Sequence, residues 1–251
     1  DKRFRQAISA AVDRKSIATT TLQGLATPLY GFVSPANREW IDTNLPKVEY
    51  DLKRAEQLLT EAGFVKRGTT DAPELFDAKG NRVEFSLMFP AENEPRKLMA
   101  AVVQEDLAKL GIKMNVVPAE SNAVGAAAGE TYAYEALLFG LTVSGIEPTT
   151  YANFLLSGAD THQWQPAQKT PATEWEARID KLFADQAREG DPQKRAGIFN
   201  EIQRVMADET PVIPIVSRHI VSAANARVGN YAPSVIFPYS LWNIDELFVK
   251  Q

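Results

Sequence analysis

The sequence predicts an α/β fold, and three observations carry that prediction. Residues 83–89 alternate polar and apolar, residues 94–110 repeat apolar positions at helical spacing, and residues 113–117 return to a strand pattern after a very short joint. Strand, helix and strand so closely coupled form a βαβ unit, whose crossover is right-handed when the strands run parallel. Amphipathic helices flank this unit along the chain, and a 45% hydrophobic fraction over 251 residues can fill the core of one large or two modest domains.

Each element has its own signal. Phe4, Ile8, Ala11 and Val12 share one helical stripe, and Asp13 is placed to end that helix and cap a second over residues 14–21. Gly24, Pro28, Gly31, Pro35 and Pro46 then predict an irregular surface connection through residues 24–50. Asp51 opens the next helix, Leu52, Ala55, Leu58, Leu59 and Ala62 form its buried stripe, and Gly63 closes it in a left-handed turn with Phe64 packing back. Residues 77–81 read as a turn into the strand at 83–89. On the helix at 94–110, Met99, Val103, Leu107 and Leu110 face one side, and Gly111 closes it with Ile112 behind. Residues 122–130 predict a short helix and residues 134–140 a third strand.

Residues 141–173 hold little regular pattern beyond a short helical stretch at 151–156, so most of them are expected in exposed loop, where ligands are often met. Thr173 and Glu176 have the spacing of a capping box, which opens a helix striped by Trp175, Ile179, Leu182 and Phe183. Asp191-Pro192 starts another, with Ile198, Ile202, Val205 and Met206 facing inward, and the two predict an antiparallel pair. Residues 212–216 and 220–224 predict strands, Pro214 demoting the first to an edge, and a last short strand is expected at 242–244.

Composition removes several functions. Net charge is -5 and no Lys/Arg block offsets it, which argues against a nucleic-acid partner. No run approaches the roughly 18 apolar residues that span a bilayer. Zero Cys excludes disulfides, thiolate metal sites and a Cys nucleophile, and His162 and His219 stand too far apart for a local metal motif. No P-loop, GxGxxG or GxSxG occurs. Glu174, Glu176 and Asp180 are the best carboxylate cluster, but Glu176 and Asp180 share one helix face, whereas paired-carboxylate hydrolysis needs groups opposed across a cleft. In the polar loop, His162 and Trp164 are candidate ligand contacts: an indole gives large contact area at small entropic cost, or else it anchors the loop to the domain.

Three ordered motifs then carry a resemblance. Arg5-Gln6-Ala7-Ile8-Ser9-Ala10-Ala11-Val12-Asp13-Arg14 comes first, followed by Tyr50-Asp51 with Ala55, Leu58-Leu59 and Glu61-Ala62-Gly63-Phe64. Gln104-Glu105-Asp106-Leu107 with Leu110-Gly111-Ile112 completes the set, and Arg195, Gln203 and Pro211-Val212-Ile213-Pro214 fit the same pattern. Together they resemble the extracytoplasmic solute-binding proteins of ABC transporters, in the peptide/nickel family.

The resemblance implies a type II periplasmic-binding-protein-like C-terminal lobe, a mixed sheet flanked by helices, over residues 1–225. Residues 226–251 would be a tail returning toward an N-terminal lobe, so the chain, which opens at Asp1 already in helical pattern, reads as part of a longer polypeptide. It further implies capture of a peptide or sugar-like polar solute between two lobes and delivery to an ABC permease. The protein would be monomeric, without cofactor or metal, periplasmic or extracellular, and lipid-anchored in its full-length form. Relatives meet ligand in the loop after the third strand, where a Trp and an ammonium-binding Asp precede a Pro. Leu141 and Ser144 occupy those positions before Pro148 here, with Glu147 nearby as a substitute charge. The alternatives are a hydrolase built on Glu174, Glu176 and Asp180, and a ligand-sensing adaptor on the same fold.

Overall fold

The computed structural model describes residues 1–143, 145–235 and 237–250. Helix α1 (Lys2–Ala11) starts where the Asp1 carboxylate accepts from the Arg3 N–H, and α2 (Arg14–Ser16) starts where Asp13 accepts from Ser16. A π turn, Ile17–Thr21, continues α2. Arg14 is buried beside this corner and donates to the carbonyls of Ser9, Leu29 and Pro214 at 2.7, 3.1 and 2.7 Å. Burial pulls its guanidinium down to about 10, and the bonds tie three distant segments together.

Strand β1 (Ala26–Pro28) lies within the stretch predicted to be irregular. Helix α3 (Leu52–Glu61) follows the prediction: Asp51 accepts from Arg54, Gly63 has φ +86°, and Phe64 returns to place its ring 5.1 Å from that of Phe4. Next comes an antiparallel hairpin of β2 (Val65–Gly68) and β3 (Pro73–Phe76) that no periodicity announced. Every residue of β2 is exposed, so it carries no inside–outside alternation to read.

The βαβ unit forms as expected. Strand β4 (Glu84–Pro90), helix α4 (Glu94–Ala108) and strand β5 (Lys113–Ala119) follow in order, with β4 and β5 parallel. After α5 (Ser121–Ala126) and a π turn, β6 (Ala136–Leu137) joins the other side of β4, also parallel, giving the order β5-β4-β6. The third strand is thus two residues long rather than the seven predicted. Parallel and antiparallel pairings occupy separate small sheets among the described residues. A core of α1, α3 and α4 side chains, including Ala7, Leu59 and Leu107, packs with Ile112 and with Leu87 and Phe89 of β4.

A second core belongs to the later helices. A 3-10 turn, Pro148–Tyr151, leads into α6 (Ala152–Leu155), and α7 (Glu174–Arg188) packs antiparallel to α8 (Pro192–Glu209). Phe199 is fully buried between Phe32, Tyr151 and Trp40, with ring centroids 5.9, 5.7 and 6.4 Å away. Trp175, expected in the core, is half-buried at its edge.

The C-terminal region departs most from prediction. Strand β7 (Val216–Arg218) begins after Pro214, which has no N–H to donate, and pairs antiparallel with β1. Residues 220–224 form no strand and are exposed. Instead of a strand at 242–244 there are 3-10 turns at Tyr239–Leu241 and Ile244–Glu246, and the final pairing joins β8 (Val228–Gly229) to β9 (Phe248–Val249). Pairings two residues long leave no period in the sequence.

Candidate functional site

An open groove of about 1270 Å³ runs past the end of the parallel sheet. It is lined by β6 with the following Phe139, Gly140 and Leu141, by residues 211–220, and by Ile8 with the core side chains Val12, Leu107 and Met114 beneath. The loop at 163–166 closes one side. Leu141, Gly140 and Arg96 all follow the carboxyl ends of β6 and β4, which is where open α/β sheets place ligand-binding loops.

The 157–173 loop is held from behind by one carboxylate. Thr173 and Glu176 form the predicted capping box, so the Glu176 side chain turns back over the start of α7. Its Oε1 accepts from His162 Nε2, Trp164 Nε1 and Gln168 Nε2 at 3.1, 3.0 and 3.3 Å. Its Oε2 accepts from the N–H groups of Ala172 and Thr173 and the Thr173 hydroxyl at 3.0, 2.9 and 2.9 Å. A carboxylate can only accept, which assigns the proton of this pair to His162 Nε2. Burial alone would raise the Glu176 carboxyl, but the bonds from His162, Thr173, Trp164 and Gln168 outweigh it and hold it below the ordinary glutamate value.

This arrangement decides where the predicted contacts sit. His162 is 1% exposed, its ring tilted 53° against that of Trp164 with centroids 3.8 Å apart, and does not line the groove. Its place is internal because Glu176 supplies a buried partner. Trp164 spends its N–H on Glu176 and packs edge-on against Phe154 at 5.4 Å, so it anchors the loop while part of it lines the groove. Leu141 is 39% exposed on the groove wall. Glu147 is turned away from the groove: Oε2 lies 2.7 Å from Nη2 of Arg195, which sits over the Trp40 ring and donates to Gln186. Asn37 adds a bond to the Ile146 carbonyl, so this end of the 140–148 loop is clamped to the helical core. Ser144 lies outside the described residues.

The carboxylates that raised a hydrolase reading have structural work. Glu176 holds the loop, Asp180 accepts from the Ser157 N–H, and Glu174 occupies the first turn of α7, where the helix dipole favours an acid. No His/Cys/Asp/Glu group able to hold a metal ion occurs among the described residues. Sequence reasoning missed Arg96 and Arg218 on the groove walls. Arg96 was within reach, because it falls three residues after the helix-capping Asn93 and directly beyond a strand end.

Residues 1–163 match the family model described as bacterial extracellular solute-binding proteins, family 5, middle region. The chain belongs to that family. It is 30% identical over 241 residues to a probable ABC transporter-binding protein of Deinococcus radiodurans, covering 91% of this chain and 40% of that protein. It is also 29% identical over 257 residues to the oligopeptide-binding protein AppA of Bacillus subtilis, covering 100% and 44%. The structure of AppA in complex with a nonapeptide superposes with a TM-score of 0.79 at 25% identity, over 100% of this chain and 48% of that one. NikA from Brucella suis, solved with Fe(III)-EDTA, shares the fold with a TM-score of 0.81 at 20% identity, over the same shares. The chain therefore spans less than half the length of these relatives, and its fold is that of the peptide/nickel type of solute-binding protein. The family, the Deinococcus radiodurans relative and AppA are described as binding proteins.

Proposed function

We propose that this chain is the C-terminal ligand-binding lobe of an extracytoplasmic solute-binding protein that captures a peptide and delivers it to an ABC permease. The open groove carries this reading. At about 1270 Å³ it exceeds the roughly 300–1,000 Å³ of a compact small-molecule pocket, and its walls are strand ends and loops, which suits an extended ligand. AppA, the relative seen with a nonapeptide, aligns over the whole chain.

Residues 1–225 form the lobe, and residues 226–251 return to a second lobe carried elsewhere in a longer polypeptide. That tail exposes Phe237, Trp242, Ile244 and Phe248, each more than half open to solvent, and apolar surface of this kind is ordinarily covered by a neighbour. Leu141, Ser144 and the open part of Trp164 would meet the ligand, and the protein would act as a monomer, without catalysis and without a cofactor. Ligand would stabilise the closed arrangement of the lobes, and the permease would read that closure.

Thermal melting tests the proposal. A ligand that binds only the native state adds RT ln(1 + [L]/Kd) to stability, so peptides should raise the Tm of the full-length protein while oligosaccharides leave it unchanged. The present chain alone should show almost no shift, having one of the two lobes. A full shift from this chain alone would sink the two-lobe reading.

A further inference from the structure

Residues 156–173, all among the described residues, form neither helix nor strand. Ordered loops of this length in compact folds usually serve a site, and here residues 163–166 line the groove. Bonds to other elements pin the loop at two points: the Ser157 N–H donates to Asp180 at 3.0 Å, and the Tyr134 hydroxyl donates to the Gln163 carbonyl at 2.8 Å. Glu176 does most of the holding. It is 2% exposed, which leaves a solute almost nothing to touch, and its two oxygens are surrounded by six donors.

We infer that Glu176 is a positioning residue for solute recognition, which sets the Trp164 ring as a fixed part of the groove lining. The inference rests on the binding reading above and adds to it a residue that acts without touching the solute. The donor pattern dictates what neutralising this carboxylate does. A carboxylate accepts at both oxygens, whereas an amide in its place accepts at one and must donate at the other. With the amide NH2 on the Oε2 side, it would oppose the N–H groups of Ala172 and Thr173, neither of which can accept. With it on the Oε1 side, His162 can answer by changing tautomer and Gln168 by turning its amide, and the indole N–H of Trp164 alone has no alternative. Glu176→Gln therefore favours the second setting and releases Trp164 while the two backbone bonds stay. The freed indole keeps its neighbours Phe154 and Trp175, at centroid distances of 5.4 and 6.0 Å, but loses the one bond that fixes its direction. A wall that must be ordered at the moment of binding costs affinity that a preformed wall does not.

The test uses the full-length protein, isothermal titration with peptides, and the circular-dichroism couplet that the neighbouring Trp164 and Trp175 rings give without any solute. Glu176→Gln should weaken peptide binding by roughly fivefold to tenfold and diminish the part of the couplet that Trp164→Ala removes. Trp164→Ala should weaken binding at least as much, and adding Glu176→Gln to it should cost nothing further, since the carboxylate acts through that ring. Gly111→Ala, which presses a methyl group on the β3 backbone beside the other core, lowers stability by a separate route and should keep wild-type affinity. Should Glu176→Gln fold poorly, benzothienylalanine at position 164, an indole isostere with sulfur in place of the N–H, removes the same bond and should give the same loss. Unchanged affinity on removal of the bond, additive losses in the double variant, or an equal loss in Gly111→Ala overturns the positioning role and leaves peptide binding standing. If the wild type binds oligosaccharide and no peptide, the peptide reading fails, and the same variants titrated with oligosaccharide decide the positioning role by the same outcomes. If it binds neither, both fall.

Discussion

Gly111 and Gly80 share a backbone conformation, with φ of +81° and +83°, but not a neighbourhood. A methyl group at Gly80 would meet nothing within 4 Å. At Gly111 it would lie 2.7 Å from the Glu74 carbonyl carbon, 2.8 Å from the Leu75 nitrogen and 2.9 Å from the Glu74 Cα. Those atoms belong to β3, held close because the Leu75 N–H donates to the Gly111 carbonyl at 2.9 Å. The left-handed conformation costs an alanine about 1–2 kcal/mol, and a less flexible unfolded chain returns about 0.4–1 kcal/mol. Gly80→Ala should therefore lose about 0.5–1 kcal/mol. Gly111→Ala pays the same strain and must also push strand backbone aside, which adds about 1–3 kcal/mol as overpacking does elsewhere, for a total of about 2–4 kcal/mol. Urea unfolding followed by far-ultraviolet circular dichroism gives both values. Equal losses at the two positions would refute the reasoning, since they would mean that strain alone sets the cost and that β3 gives way freely.

Two further outcomes follow from the second core and the loop. Phe199→Ala removes a fully buried ring and should cost about 3–5 kcal/mol in the same urea assay; a loss under 1 kcal/mol would show that the cluster collapses into the space. Glu176 has a folded-state value below the unfolded one, so its contribution to stability is present above the ordinary glutamate value of about 4.3 and fades as pH falls through the depressed folded value. Glu176→Gln should flatten the acid limb of a Tm-against-pH curve, and an unchanged limb would show that another group drives acid unfolding.

Helices were legible because their signals are local. Asp51, Gly63, the Thr173 and Glu176 pair and Asp191 act on backbone groups within a turn of themselves, and the apolar stripes between them need no partner to be seen. The βαβ unit was legible for the same reason. The β2–β3 hairpin was not, since β2 is exposed on both sides and leaves no alternation, and the β1–β7 pairing joins segments from opposite ends of the chain whose match no local pattern records. Trp164 stands out in the sequence as a loop aromatic, yet nothing near it in sequence says that its N–H is consumed by a carboxylate on the next helix.

By itself, then, the sequence determined the α/β class, the placement and ends of the main helices, the absence of thiol chemistry and, through three motifs, the family. Only the tertiary structure decided that His162 and Glu147 face inward or sideways while Leu141 lines the groove, and that residues 136–141 and 211–220, far apart in the chain, line the same groove. The physical reason is that caps and periodicity are set by neighbours in the chain, whereas burial, pairing and the facing of unlike segments depend on contacts that form only when distant residues pack together.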